Sequence, residues 1–218
     1  MNQAIPETET PSGHQTKTGR KSTTDLLLEL GDQVTAERLT IGELIDALQD
    51  RAFGFLLLIL ALPCSIPFLY GVPQAVSLPL IFVAAQIILG RHTLWLPETV
   101  KKRSFSASAF RDMTARAAPY VRWFEVLSRP RLVWLTRGTI ERLLGLFILI
   151  FSISIAIPLP LTNTVPGFAV AIMALGFIER DGLLIIAGTI IGTAWIIILV
   201  SLAGGVWILL EQVIEWLS

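Results

Sequence analysis

Cysteine is nearly absent from this sequence. Cys64 is the only one in 218 residues, which excludes an intramolecular disulfide and a thiolate metal cluster. Histidine is almost as scarce, and neither His14 nor His92 has neighbours at metal-ligand spacing. The sequence has no phosphate-cradling glycine loop and no nucleophile elbow. No catalytic residue, metal or cofactor is assigned, and nothing in the residues argues for an enzyme. The most consequential absence is charge. Residues 53–90, 143–178 and 182–210 contain no Lys, Arg, Asp or Glu. All 17 basic residues lie outside these runs: five before the first, eleven in residues 91–142, and Arg180 alone before the third. Runs this long and apolar predict an all-α integral membrane protein.

The first two runs contain 38 and 36 residues. As continuous helices they would reach roughly 55 Å, well beyond a hydrocarbon core of about 30 Å. Each must fold back, and proline marks where. The first break is Pro63-Cys64-Ser65-Ile66-Pro67 followed by Tyr70-Gly71-Val72-Pro73; the second is Pro158-Leu159-Pro160 followed by Thr162-Asn163-Thr164-Val165-Pro166-Gly167. Proline removes a backbone donor and clashes with the preceding turn, while Gly and Asn permit reversal. The pattern predicts two Pro-broken helical hairpins, with arms near 53–67, 74–90, 143–158 and 167–178. The third run predicts a C-terminal transmembrane helix over 182–210.

The hairpins read as an internal repeat. Gly54 to Pro67 matches Gly145 to Pro158 in spacing, Val72-Pro73 resembles Val165-Pro166, and the exits carry Arg91 and Arg180. Arms of 12 to 17 residues fall at or below the usual spanning minimum of about 17. Two geometries stay open: full spans that include the reversal residues, or re-entrant hairpins whose turns lie at membrane depth inside protein or a water-filled cavity.

Orientation follows from the basic residues. Residues 91–142 hold eleven basic and four acidic residues, and short segments of that kind stay cytoplasmic. Both hairpins then start and end on the cytoplasmic side. Glu179-Arg180-Asp181-Gly182 is a cytoplasmic turn, and the C-terminus emerges in the periplasm. Residues 1–23 lack the apolar core of a signal peptide and are expected to form a disordered polar tail. Residues 24–218 form a single membrane domain, with interfacial helices in 24–52, hairpins at 53–90 and 143–178, and a connector at 91–142. Thr40 and Glu43 predict a capping box opening a helix over 41–51.

Further interfacial amphipathic helices are expected near 106–118 and 120–128. Lys101, Lys102, Arg103, Arg122, Trp123, Arg129 and Arg131 interleave cations with aromatic rings, which suits contact with anionic lipid or a protein partner. Nucleic acid is excluded as a partner because no recognition motif accompanies these charges. Candidate pathway or gating residues lie where charge or amide meets the apolar runs: Asp50, Arg51, Gln86, Arg91, Asn163, Glu179, Arg180 and Asp181. Amides in lipid need partners and so face the protein interior, whereas the charges at the run edges either mark the interface or converge to gate a polar path. Gly188 and Gly192 have the spacing of a helix-pairing face, within the chain or in a homo-oligomer.

The order of these motifs resembles the ExoD family of bacterial membrane proteins. Asp50-Arg51-Ala52-Phe53-Gly54, Ala61-Leu62-Pro63, Gly90-Arg91, Trp95-Leu96-Pro97, Arg129-Pro130-Arg131, Trp134-Leu135-Thr136, Ile157-Pro158-Leu159-Pro160 and Glu179-Arg180-Asp181-Gly182 carry the resemblance over roughly residues 35–205. Cys64-Ser65 departs from it, where a more polar residue after the proline is expected. The resemblance implies a bacterial inner-membrane protein supporting exopolysaccharide production, with membrane lipids and exopolysaccharide synthesis machinery as partners. A transporter- or channel-like factor, with its pathway between the hairpins, is the leading expectation. A non-transporting scaffold of a synthesis complex is the alternative, and a lipid-modifying enzyme has least support.

Overall fold

A computed structural model describes residues 38–67, 69, 71–91, 93–106, 108, 112, 132–136, 138–158 and 162–217. The expected polar tail and the connector helices near 106–118 and 120–128 fall almost entirely outside these residues. The described part is helical apart from one short strand pair.

Strand β1 (Arg38–Thr40) leads directly into α1 (Ile41–Leu48). The Thr40 hydroxyl accepts the Glu43 N–H at 3.2 Å, and the Glu43 carboxylate accepts the Thr40 N–H at 2.8 Å. This is the reciprocal cap that the sequence predicts. Hydrogen bonds from the Thr40 backbone and side chain hold the Glu43 carboxyl below its ordinary range, so the ionised form makes the cap. The helix is shorter than the expected 41–51. Gln49 adopts φ 48°, which ends the α-helix, and a 3-10 turn (Gln49–Arg51) redirects the chain into α2 (Ala52–Cys64).

Pro63 lies inside α2, one residue before its end, and Ser65 closes the last turn through N–H and hydroxyl bonds to the Ala61 carbonyl. Gly71, at φ 82°, starts α3 (Val72–Ile88). Pro79 sits inside α3 and leaves the Ala75 carbonyl without its helical donor. After α3 come α4 (Glu98–Lys101) and β2 (Ser104–Ser106). Strand β2 pairs antiparallel with β1, Leu39 opposite Phe105, and Ile41 N–H continues the ladder to the Arg103 carbonyl. A 3-10 turn (Val133–Thr136) precedes α5 (Thr139–Ala156). Ile157 is extended, as the residue before a proline prefers, and so α5 ends there. Helix α6 (Thr164–Glu179) ends at Arg180 in the left-handed region, and α7 (Gly182–Leu217) follows.

The main packing is crossed. Helix α2 lies chiefly against α6, and α3 chiefly against α5; contacts within α2–α3 and within α5–α6 are smaller. Glycines set the close approaches. A Cβ on Gly54 would lie 2.7 Å from Ile178 and 3.0 Å from the Ala174 carbonyl, so the start of α2 meets the end of α6. A Cβ on Gly167 would lie 2.7 Å from the Cys64 carbonyl carbon, so the start of α6 meets the end of α2. Gly145 near the start of α5 similarly fits against Ile87 and Ile88 at the end of α3. Buried Leu57, Leu80, Ile148, Ile155, Val170 and Met173 fill the space between these helices.

The outward faces are apolar as well. Ile59, Leu62, Leu78, Ile153 and Phe168 are exposed, Leu78 at 69%. Helix α7 packs on α6 through Gly188 and touches α5, where Gly192 accommodates the Phe151 ring. It runs to Leu217 rather than residue 210, and the described side chains from Ser201 onward are all exposed. By length and composition, α5 and α7 are each able to cross a membrane. Helices α2, α3 and α6, of 13, 17 and 16 residues, are shorter apolar helices.

Candidate functional site

The crossed packing gathers the charges of the bundle at one end. Gly54 against Ile178 joins the start of α2 to the end of α6, and Gly145 against Ile87 joins the start of α5 to the end of α3. Gly182 closes the group, because a Cβ there would lie 2.7 Å from both Leu132 and Leu135, just before α5. Arg51, Arg91, Glu141, Arg142, Glu179, Arg180 and Asp181 all stand on these segments. The opposite end carries the proline-rich breaks and no charged residue from either long run.

Two of these charges are buried: Arg51 is 6% exposed and Asp181 4%. Removing charges from water is costly unless they are paired or hydrogen-bonded. Asp181 Oδ1 accepts the Leu183 N–H at 2.9 Å and so caps the start of α7. Its own N–H donates to the Gly176 carbonyl at 2.9 Å, which fastens the α6–α7 turn. Glu179 and Arg180 are half-buried beside it.

Gln86 is 4% exposed. Its Nε2 donates to the Trp95 carbonyl at 3.1 Å, and its Oε1 accepts the Trp95 N–H at 2.8 Å. This pair of bonds fixes the chain after α3, and the Trp95 ring leans on Phe82 with centroids 5.8 Å apart. The chain turns at Gly90 with φ 69°. A Cβ at Gly90 would lie 2.6 Å from Arg142 Nε and Nη2, so the guanidinium of Arg142 rests directly on this turn. Arg91 follows with its side chain exposed, and Arg142 is exposed too.

The structure thus brings Arg51, Gln86, Arg91, Glu179, Arg180 and Asp181 to one end. Asp50 lies in the turn before α2, and its side chain is outside the described set. Asn163 is elsewhere: it precedes α6 at the opposite end, about 24 Å away along that helix. There Trp195 Nε1 donates to the Thr162 carbonyl at 3.2 Å. Lys101 is half-buried and 4.0 Å from Glu98, an exposed pair of small energetic weight. Lys102 and Arg103 are exposed, whereas Arg122, Trp123, Arg129 and Arg131 fall outside the described residues.

Sequence reasoning missed Arg142. The signal was present, because Asp50-Arg51-Ala52-Phe53-Gly54 has a counterpart in Glu141-Arg142-Leu143-Leu144-Gly145, an acid and an arginine three residues before a packing glycine. Guanidinium groups in this setting offer paired donors to phosphate or carboxylate. Among the described residues, no cluster of three or more His, Cys, Asp or Glu could hold a metal ion.

Comparison with known proteins places the chain in a family. A family model described as "Exopolysaccharide synthesis, ExoD" matches residues 23–201. An uncharacterised protein of Synechocystis, slr1875, is 29% identical over 189 residues, covering 83% of this chain and 88% of that protein. Protein ExoD of Rhizobium meliloti is 30% identical over 174 residues, covering 78% of this chain and 72% of that protein. No solved structure matches. With its family match extending across both proline-broken runs and into α7, the chain belongs to the ExoD family.

Proposed function

We propose that this chain is a bacterial inner-membrane protein supporting exopolysaccharide production, with a transport-like pathway between two copies of a re-entrant helical hairpin. The copies are α2–α3 and α5–α6. The observation that carries the reading is the crossed packing of α2 on α6 and α3 on α5, with Gly54 and Gly145 at matching places. That arrangement suits two repeats related by a pseudo-two-fold axis, an architecture in which transporters place their pathway at the repeat interface. The charged end faces the cytoplasm under the positive-inside rule. Family membership supports the link to exopolysaccharide.

Depth favours re-entry over full spans. The Trp195–Thr162 bond puts the second reversal level with residue 195 of α7. From Gly182 that is about 20 Å of helix, against a core of about 30 Å. Helix α7 remains apolar to residue 210 and so completes the crossing beyond the reversals. Backbone at such depth needs partners within the protein. Trp195 at the Thr162 carbonyl, the Ser65 hydroxyl at the Ala61 carbonyl, and Gln74 Oε1 at the Gly71 N–H supply them.

Buried Ser77 and Ser152 return their hydroxyls to the Gln74 and Ile148 carbonyls of their own helices. A path therefore opens by tilting one hairpin against the other, with Arg180 at its cytoplasmic mouth and Asn163 at its inner end. Arg180→Gln and Asn163→Ala are expected to reduce exopolysaccharide severalfold while each variant stays at wild-type level in the membrane fraction. Unchanged exopolysaccharide from both, at matched protein levels, contradicts the pathway.

A further inference from the structure

We infer that Arg142 and Arg91, on either side of the Gly90 turn, form a binding site for the phosphate of an anionic lipid headgroup. The inference rests on the repeat and membrane reading above. It starts from where that repeat is broken. The second hairpin exits through Glu179-Arg180-Asp181, with an acid on each side of the arginine; the first exits through Gly90-Arg91-His92, with none. Arg51 and Arg142 hold the same place, three residues before Gly54 and Gly145. Arg51 is buried at the acidic exit, whereas Arg142 is exposed at the exit without acids.

The guanidinium of Arg142 lies on the Gly90 turn, which leaves space for it by having no Cβ. Arg91 is next in the chain, its N–H tied to the Gln86 carbonyl at 3.1 Å. Among the described residues neither arginine side chain has a hydrogen bond or an ion pair. Of the described acids in the adjoining segment, Glu98 stands 4.0 Å from Lys101. Among the described residues no acid is paired with either cation, and guanidinium forks suit phosphate oxygens.

The surroundings select a lipid as the source. Leu89, Phe82 and Trp95 are exposed next to the turn, Leu89 at 70%. Gln86 holds Trp95 in place, and tryptophan at the end of an apolar helix sits at headgroup level. Acyl chains then lie along Phe82 and Leu89 while the phosphate meets Arg91 and Arg142.

The test is native mass spectrometry of the full chain released from mixed phosphatidylcholine and phosphatidylglycerol vesicles. The wild type is expected to retain phosphatidylglycerol preferentially. The Arg91→Gln/Arg142→Gln pair should lose that preference severalfold, and Lys17→Gln/Arg20→Gln, in the polar N-terminal stretch, should keep it. His92→Asp leaves both arginines in place but restores an acid where the second exit has Asp181, and it should also lose the preference. Retention by the arginine pair variant equal to wild type, or displacement of the lipid by millimolar inorganic phosphate, overturns the site. Alkaline carbonate extraction of the same vesicles reports separately on the membrane reading: release of the protein would end that reading, whereas lost lipid preference alone would not.

Discussion

Valine at Gly167 is expected to dismantle the contact between α2 and α6. A Cβ there would stand 2.7 Å from the Cys64 carbonyl carbon and 2.9 Å from its oxygen, and backbone cannot rotate away as a side chain can. Overpacking of this kind costs roughly 1–3 kcal/mol, and more where the obstacle is backbone. Gly54 faces the same restriction against the Ala174 carbonyl and the Ile178 N–H. Both Gly167→Val and Gly54→Val should therefore lower the melting temperature in detergent sharply and reduce the amount of protein recovered from membranes. Gly204→Val is the matched control, because nothing lies within 4 Å of that position. It should melt like the wild type. Equal losses at Gly204 and Gly167 would mean that general helix effects, rather than the crossed packing, explain the result.

The second large effect is expected at Asp181. Its carboxylate is buried and accepts the Leu183 N–H at the start of α7. Asp181→Ala removes both the cap, worth about 1 kcal/mol, and a buried negative charge. Asp181 has a further interaction besides the cap, so the loss should exceed that of the cap alone. Asp181→Asn keeps an oxygen for the Leu183 N–H and should lose less. Arg51 is the other buried charge at this end, brought there by Gly54 against Ile178. Combining Arg51→Gln with Asp181→Asn should give a smaller loss than the two single losses added together, with a coupling of about 0.5–3 kcal/mol. Additive losses in thermal melts would place the two charges in separate networks.

Much of the architecture is legible in the residues because long charge-free runs leave few options. Charge-free runs with proline interruptions at 63–73 and 158–166 foretell where helices stop, since a missing N–H and a restricted preceding residue act locally. The capping box at Thr40 and Glu43 is local for the same reason. The ends of elements are less predictable. Helix α1 stops at Leu48 because Gln49 takes a left-handed backbone, which no residue in Leu48-Gln49-Asp50 announces. The pairing of β1 with β2 joins residues more than sixty positions apart, and neither triplet is long enough to show a strand period.

The partners within the bundle are hidden for a different reason. Apolar helices joined by short turns suggest packing within each hairpin, yet α2 meets α6 more than it meets α3. The glycines that decide this, Gly54, Gly145 and Gly167, are visible, but what each one faces is not. The candidate site is partly legible for the same reason. Arg51, Gln86, Arg91 and the residues 179–181 stand out as charges or amides beside apolar runs. Arg142 is masked as one of eleven basic residues in the connector, although it repeats the place of Arg51. Asn163 shares the chemistry of that group and not its location.

The central claim is that two hairpins reach into the membrane from the cytoplasmic side and turn back within it. The direct measurement is labelling of Thr164→Cys, in a Cys64→Ser background, with a membrane-impermeant maleimide applied to intact cells and to inverted vesicles. A second reporter, Glu215→Cys near the end of α7, marks the outer side. The thiol introduced at position 164 is predicted to react from the cytoplasmic face only, while the thiol introduced at position 215 reacts in intact cells. Reaction at position 164 from outside would make the second reversal an external loop and contradict the re-entrant pathway.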